Sequence, residues 1–156
     1  MMTYELGRRS LSRLEGIHPD MILVVKVAII YTEVDFTITE GMRLKARQRK
    51  LVDSGASWTM DSRHLTGHAI DLAPWIDRRI SWDWPPFFKI ARAMQMAGRD
   101  LGIKVRWGGA WDRQLTATAT DPHDQMNMYV AKRHAQGRNA TPDGPHFELP
   151  RVDPYR

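Results

Sequence analysis

The run Met21–Ile30 is the longest apolar stretch of the chain, interrupted only by Lys26. It is far shorter than the about 20 residues a membrane-spanning helix needs, so the rest of the chain must cover it. His18-Pro19-Asp20 just before it forms a helix start, with proline in the first turn where a missing N–H costs nothing. The helix should run to about Tyr31. Apolar nearly all round, it reads as a buried central helix on which the other elements assemble.

Those elements mix two periodicities. Val34–Thr39 alternates apolar and polar residues, the mark of a half-buried strand, and Glu40-Gly41 turns the chain. Arg43–Ser54 reads as a basic amphipathic helix ended by Gly55. After a polar loop, His68–Trp75 alternates again as a strand, and Trp82–Pro86 is an aromatic, proline-rich connection. Phe87–Leu101 repeats apolar residues at helical spacing up to Gly102. Ile103–Trp107 is expected as a short strand, Asp121-Pro122 opens a helix to about Gln136, and His146–Leu149 is a last strand. Without a regular βαβ rhythm, this order implies an α+β fold: a small, largely antiparallel sheet with helices packed on it. With 156 residues and no linker or repeat, one domain over 1–156 is expected.

Composition narrows the chemistry. There is no cysteine, which excludes a disulfide scaffold, a thiol nucleophile and a thiolate metal site. The net charge is +5 and the pI about 9.8, suited to anionic partners such as a cell wall. The basic residues are nonetheless scattered among acidic ones, and no helix-turn-helix or aromatic ribonucleoprotein motif accompanies them. No nucleic-acid partner and no stable membrane insertion are expected. The polar segment Met1–Ser10 is not followed directly by an apolar run, so no secretory signal is expected.

Two segments can hold a metal: Ser62–Asp71 and Asp143–Glu148. A catalytic zinc takes three ligands from His and Asp/Glu and leaves one position open. His64 and Asp71 are seven residues apart, so on one straight strand they would face opposite ways. Gly67 between them lets the chain turn, and both can then address one ion. His68, three residues from Asp71, would face away and is the weaker candidate. His146 and Glu148 share a strand face, while Phe147 and Leu149 point to the core. Asp143 sits on the Gly-Pro turn before His146, where a general base for a metal-bound water belongs; Glu148 competes for that role. His123 and His134 are expected on one helix about 16 Å apart, too far to share an ion.

Ser62-x-His64-x-x-Gly67-x-Ala69-x-Asp71, followed by Asp143-x-x-His146-Phe147-Glu148, resembles the signature of the D-alanyl-D-alanine carboxypeptidase and L-alanyl-D-glutamate endopeptidase family of zinc peptidases. That family shares its fold with the hedgehog signalling domain. The likeness is greatest to its tailed-phage endolysins, with further similar stretches at Ser12–Pro19, Thr39–Arg43 and Arg106–Trp111. The resemblance implies His64, Asp71 and His146 as Zn2+ ligands, Asp143 as catalytic acid/base, and Arg43 as the cation facing the carbonyl oxygen. Ser62, Glu148 and Trp111 would stand beside the metal or on the substrate side.

The chain departs from the pattern at Ala110, where relatives often carry an acidic residue. Its 112–141 segment also looks like a helical insertion: a surface excursion, or a lid or wall-binding element beside the cleft. The implied activity is cleavage of the L-alanyl-D-glutamate bond of peptidoglycan stem peptides during phage lysis. The protein would act as a monomer, made in the host cytoplasm without a signal peptide and reaching the wall after holin-type release. The alternatives are a D-Ala-D-Ala carboxypeptidase of the same family and a non-catalytic wall-binding or signalling module on the same fold.

Overall fold

In the computed structural model, which describes residues 2–151, the helices are α1 (Arg8–Arg13), α2 (Pro19–Tyr31), α3 (Lys45–Asp53), α4 (Trp84–Leu101) and α5 (Pro122–Ala135). The strands are β1 (Phe36–Glu40), β2 (Ala69–Ile76), β3 (Arg79–Ile80), β4 (Arg106–Trp107) and β5 (His146–Glu148). The apolar run of the sequence is α2, capped by His18, whose Nδ1 accepts the Asp20 N–H at 3.0 Å. Met21, Val24, Val25, Ala28 and Ile29 form its buried stripe. Leu23 and Ile30 on the other side are exposed, so the helix is not buried all round as expected. It is an outer layer laid on α4, and α4 is the helix that also reaches β2 and α5.

The strands run in the order β1-β2-β5-β4, antiparallel throughout, with β3 forming a hairpin on the far end of β2. The register decides where the chemistry goes. Ile70 pairs with Phe147, which pairs with Trp107, and these large residues bury one face of the sheet. One residue along, Glu40 pairs with Asp71, which pairs with His146; next to that row, Ala69 pairs with Glu148 and Glu148 with Arg106. Because side chains alternate along a strand, a core-forming register aligns these polar groups on the opposite face.

Several boundaries differ from the sequence expectation. Helix α4 begins three residues early, at Trp84, with Pro85 and Pro86 absorbed in its first turn, where their missing N–H groups have no intrahelical partner to lose. The strand expected over 103–107 keeps only Arg106–Trp107. Ile103 N–H caps α4 at the Gly98 carbonyl, and Val105 bonds the Thr116 hydroxyl and Leu115 instead of a strand. The β2–β3 hairpin was not expected. Its turn residues Asp77 and Arg78 both take positive φ (52° and 61°), without the Gly or Asn that flags such a turn in sequence. Helix α1 also escaped notice, being only 6 residues long. The helix expected from Arg43 starts at Lys45: Leu44 before it is extended (φ −77°, ψ 151°), and the Arg43 N–H is held by the His64 carbonyl at 2.8 Å.

Candidate metal centre and cleft

His64 lies on a 3-10 turn, Arg63–Thr66, that interrupts the loop expected before β2. Ser62 caps that turn, its Oγ accepting the His64 N–H at 3.2 Å. Gly67 ends it at φ 76°, and a Cβ there would sit 2.2 Å from the Gly16 carbonyl oxygen. Glycine is therefore required twice over, by backbone conformation and by space. The turn buries the His64 ring and sends it over the sheet face that carries Asp71.

The ring orientations are fixed from behind. His64 Nδ1 is 2.9 Å from the Gly41 carbonyl, which can only accept, so Nδ1 carries the hydrogen and Nε2 is left facing Asp71. His146 Nε2 donates to Glu148 Oε1 at 3.0 Å, which leaves Nδ1 facing the same carboxylate. Asp71 Oδ1 is 3.4 Å from His64 Nε2 and 3.5 Å from His146 Nδ1. That buried oxygen has no hydrogen-bond partner among the described residues.

Two ring nitrogens and an orphaned carboxylate oxygen thus converge on one point. Ligands at 2.0–2.1 Å from a tetrahedral ion stand about 3.3–3.4 Å apart, so the three fit a divalent cation of zinc's size and donor preference. Histidine ligands backed by a carbonyl and a carboxylate are the usual arrangement behind such an ion. In the ion-free chain, burial pushes the His146 imidazolium down, but Asp71 and Glu148 outweigh it and hold its pKa up at about 9. Burial raises Asp71, yet the two imidazoles carry it well below the ordinary carboxylate range.

Arg43 reaches the site from the turn after β1. Its Nε and Nη2 bind both oxygens of Glu40 at 2.8 and 2.6 Å, and its Nη1 donates to Gln48 Oε1 at 2.8 Å. Gln48, fully buried on α3, in turn donates to the Ser57 hydroxyl and the Thr59 carbonyl. The guanidinium is thereby fixed with Nη2 3.9 Å from Asp71 Oδ2.

Asp143 stands on the other side, on the turn into β5. Its backbone N–H bonds the Gly108 carbonyl at 2.8 Å, and a Cβ on Gly108 would lie 2.4 Å from the Asp143 carbonyl oxygen. The residue is open to solvent, but its carboxyl faces the cleft walls. Desolvation there and the charge of Asp71 raise its pKa, against His146, His64 and Arg43. Glu148 has the opposite character. Burial would raise it, but His146, Arg106 and Arg63 hold it low, so it stays an acceptor for the His146 ring.

His64, Asp71, His146, Arg43, Asp143 and Glu148 line one cleft of about 700 Å³. Trp111 is in its wall, with its ring 5.1 Å from that of His146 and its Nε1 donating to the Thr141 carbonyl at 3.1 Å. His68 is elsewhere, 5.3 Å from the His18 ring and bonded to the Thr66 hydroxyl. Ala110 is buried, and His123 and His134 lie exposed on α5.

A family model of the phage L-alanyl-D-glutamate peptidases matches residues 2–150. The chain belongs to this family. It is 33% identical over 152 residues to the L-alanyl-D-glutamate peptidase of Escherichia phage T5, covering 95% of this chain and 99% of that protein. A 94-residue match at 29% identity to the L-alanyl-D-glutamate peptidase of Listeria phage A118 covers 60% of this chain and 31% of that one. Among solved structures, the fold matches the Serratia marcescens L-Ala D-Glu endopeptidase ChiX with a TM-score of 0.72 at 37% identity, over 92% of this chain and 87% of the other.

For this member of the phage peptidase family, sequence reasoning overlooked the support around Arg43. In the sequence Glu40 reads as part of a turn and of the Thr39–Arg43 stretch, and Gln48 carries no mark of a supporting residue. The available signal was spacing, Glu40 lying three residues before Arg43; that Gln48 is the buried residue of α3 shows only in the structure. Arg63 and Arg106, both 4.0 Å from Glu148, were likewise missed as its counter-charges.

Proposed function

We propose that the protein is a zinc-dependent endopeptidase that cuts the L-alanyl-D-glutamate bond of peptidoglycan stem peptides. The observation that carries this is the convergence of His64 Nε2, His146 Nδ1 and Asp71 Oδ1, with Arg43 and Asp143 lining the same cleft. The choice of bond follows the names of the relatives.

A zinc ion held by His64, Asp71 and His146 would supply an acidified water, its pKa lowered toward about 7, and polarise the peptide carbonyl. The side chains then divide the work. Asp143, its pKa raised, accepts the proton of the attacking water and returns it to the departing amine of the D-glutamyl residue. Arg43, clamped by Glu40 and Gln48, holds a fixed positive charge toward the carbonyl oxygen as negative charge develops there. Ser62, Gly67 and Glu148 act indirectly, by fixing the two imidazoles.

Every group invoked comes from one chain. No helix among the described residues is long and apolar enough to cross a membrane. We place its action at the host wall in phage lysis, after holin-type release. The test is clearing of purified sacculi by the protein. Clearing should stop with a chelator and return on adding zinc. Binding to sacculi without clearing at any metal load would favour a wall-binding module.

A further inference from the structure

Five arginines line the cleft: Arg43, Arg63, Arg106, Arg133 and Arg151. Four have a carboxylate within reach. Arg43 holds Glu40 at 2.6 Å, Arg151 holds Asp61 at 2.8 Å, and Arg63 and Arg106 each stand 4.0 Å from Glu148. Arg133 has no carboxylate within 4 Å among the described residues; its Nε donates to the Asn139 carbonyl at 2.9 Å. That bond pins the base of the guanidinium. Tyr129, one helical turn earlier, lines the cleft with it, so one face of α5 forms the wall.

A half-buried arginine, tethered through Nε with its two terminal nitrogens uncommitted to any carboxylate among the described residues, is suited to receive an anion. The peptidase function proposed above, on which this inference rests, supplies the anion. A glutamate joined through its amine still has two carboxyl groups. At most one of them continues the peptide, so the residue released at the new amino terminus carries a free carboxylate. We propose that Arg133 binds this carboxylate and selects an acidic residue on the leaving side of the scissile bond. Helix α5 is then a specificity wall of the cleft.

The test compares two stem peptides that differ only at the free carboxyl of D-glutamate, one acid and one primary amide, with wild-type, Arg133→Gln and Arg133→Lys proteins loaded with zinc. Wild type should cut the acid with kcat/KM about ten- to a hundredfold above the amide, the usual weight of a charge-assisted pair. Arg133→Gln should lose that preference by falling on the acid alone, and Arg133→Lys should restore part of it. Calorimetry of both peptides on the Asp143→Ala protein, with and without Arg133→Gln, should show the same preference in binding. Equal losses on acid and amide in Arg133→Gln, or no preference in wild type, would overturn the assignment. Release of free D-alanine in place of new D-glutamyl amino termini, or no cleavage of either peptide by wild type, would overturn the endopeptidase reaction proposed above and this inference with it.

Discussion

Glu148 Oε1 accepts a hydrogen bond from His146 Nε2 at 3.0 Å, two residues away on the same strand face. The bond turns Nδ1 of His146 toward Asp71 and keeps the carboxylate charged beside Arg63 and Arg106. Glu148→Ala should leave a folded protein whose zinc affinity falls about ten- to a hundredfold, as loss of a carboxylate behind a histidine ligand does. Competition with a chromophoric chelator measures it. Unchanged affinity combined with lost turnover would make Glu148 the base instead.

Asp143→Ala should keep stoichiometric zinc and lose turnover by about 10²–10⁴, the usual contribution of a general base. Metal analysis and initial rates on purified peptidoglycan decide this. A near wild-type rate would remove Asp143 from the chemistry.

Proton linkage gives a third expectation. The His146 pKa is raised to about 9 in the ion-free chain, above the about 6.5 of an unfolded histidine. Its contribution to stability is therefore fully present below about pH 6.5 and lost as pH rises through about 9. The metal-free protein should melt at lower temperature at pH 9 than at pH 6.5. Zinc must displace that proton, so its apparent affinity should rise by about tenfold per pH unit between pH 7 and 9. A flat affinity over that interval would mean the ion does not use His146.

Gly67→Ala forces an L-residue to φ 76° with its methyl 2.2 Å from the Gly16 carbonyl oxygen. Backbone strain alone costs about 1–3 kcal/mol, and the clash adds to it. Denaturant unfolding should show a loss at the upper end of that range or beyond, together with weaker zinc binding because His64 is displaced. A loss under about 0.5 kcal/mol would show the turn to be more forgiving than its geometry.

Removing Arg43 should raise the barrier by about 2.7–4 kcal/mol, the weight of one oxyanion donor. Arg43→Ala also leaves the buried Gln48 carbonyl without its partner, so stability should fall alongside activity. Arg43→Lys separates the two effects: a charge without the fork should recover part of the rate and little of the Glu40 clamp. An unchanged rate in the alanine variant would demote Arg43 to support of Gln48.

Strand parity carried much of what could be seen in the sequence. It placed Phe147 and Leu149 in the core and His146 with Glu148 on one face, as the structure has them. It also required a break at Gly67 if His64 and Asp71 were to meet. The long helices α4 and α5 were legible from periodicity and capping. The clamp on Arg43 was not, because it joins β1, α3 and the Ser57–Thr59 loop through side-chain bonds that leave no periodic trace. The outer position of α2 was missed because an apolar run does not say which of its faces will be covered. The cleft face of α5 was invisible too, since Tyr129 and Arg133 acquire meaning only once β4 and β5 stand opposite them.

Mass spectrometry of peptidoglycan fragments released by the zinc-loaded protein, with and without chelator, bears most directly on the proposed reaction. New amino termini on D-glutamate, appearing only with metal present, are expected. Release of free D-alanine without such termini, or D-glutamate termini that persist after complete metal removal, would contradict it.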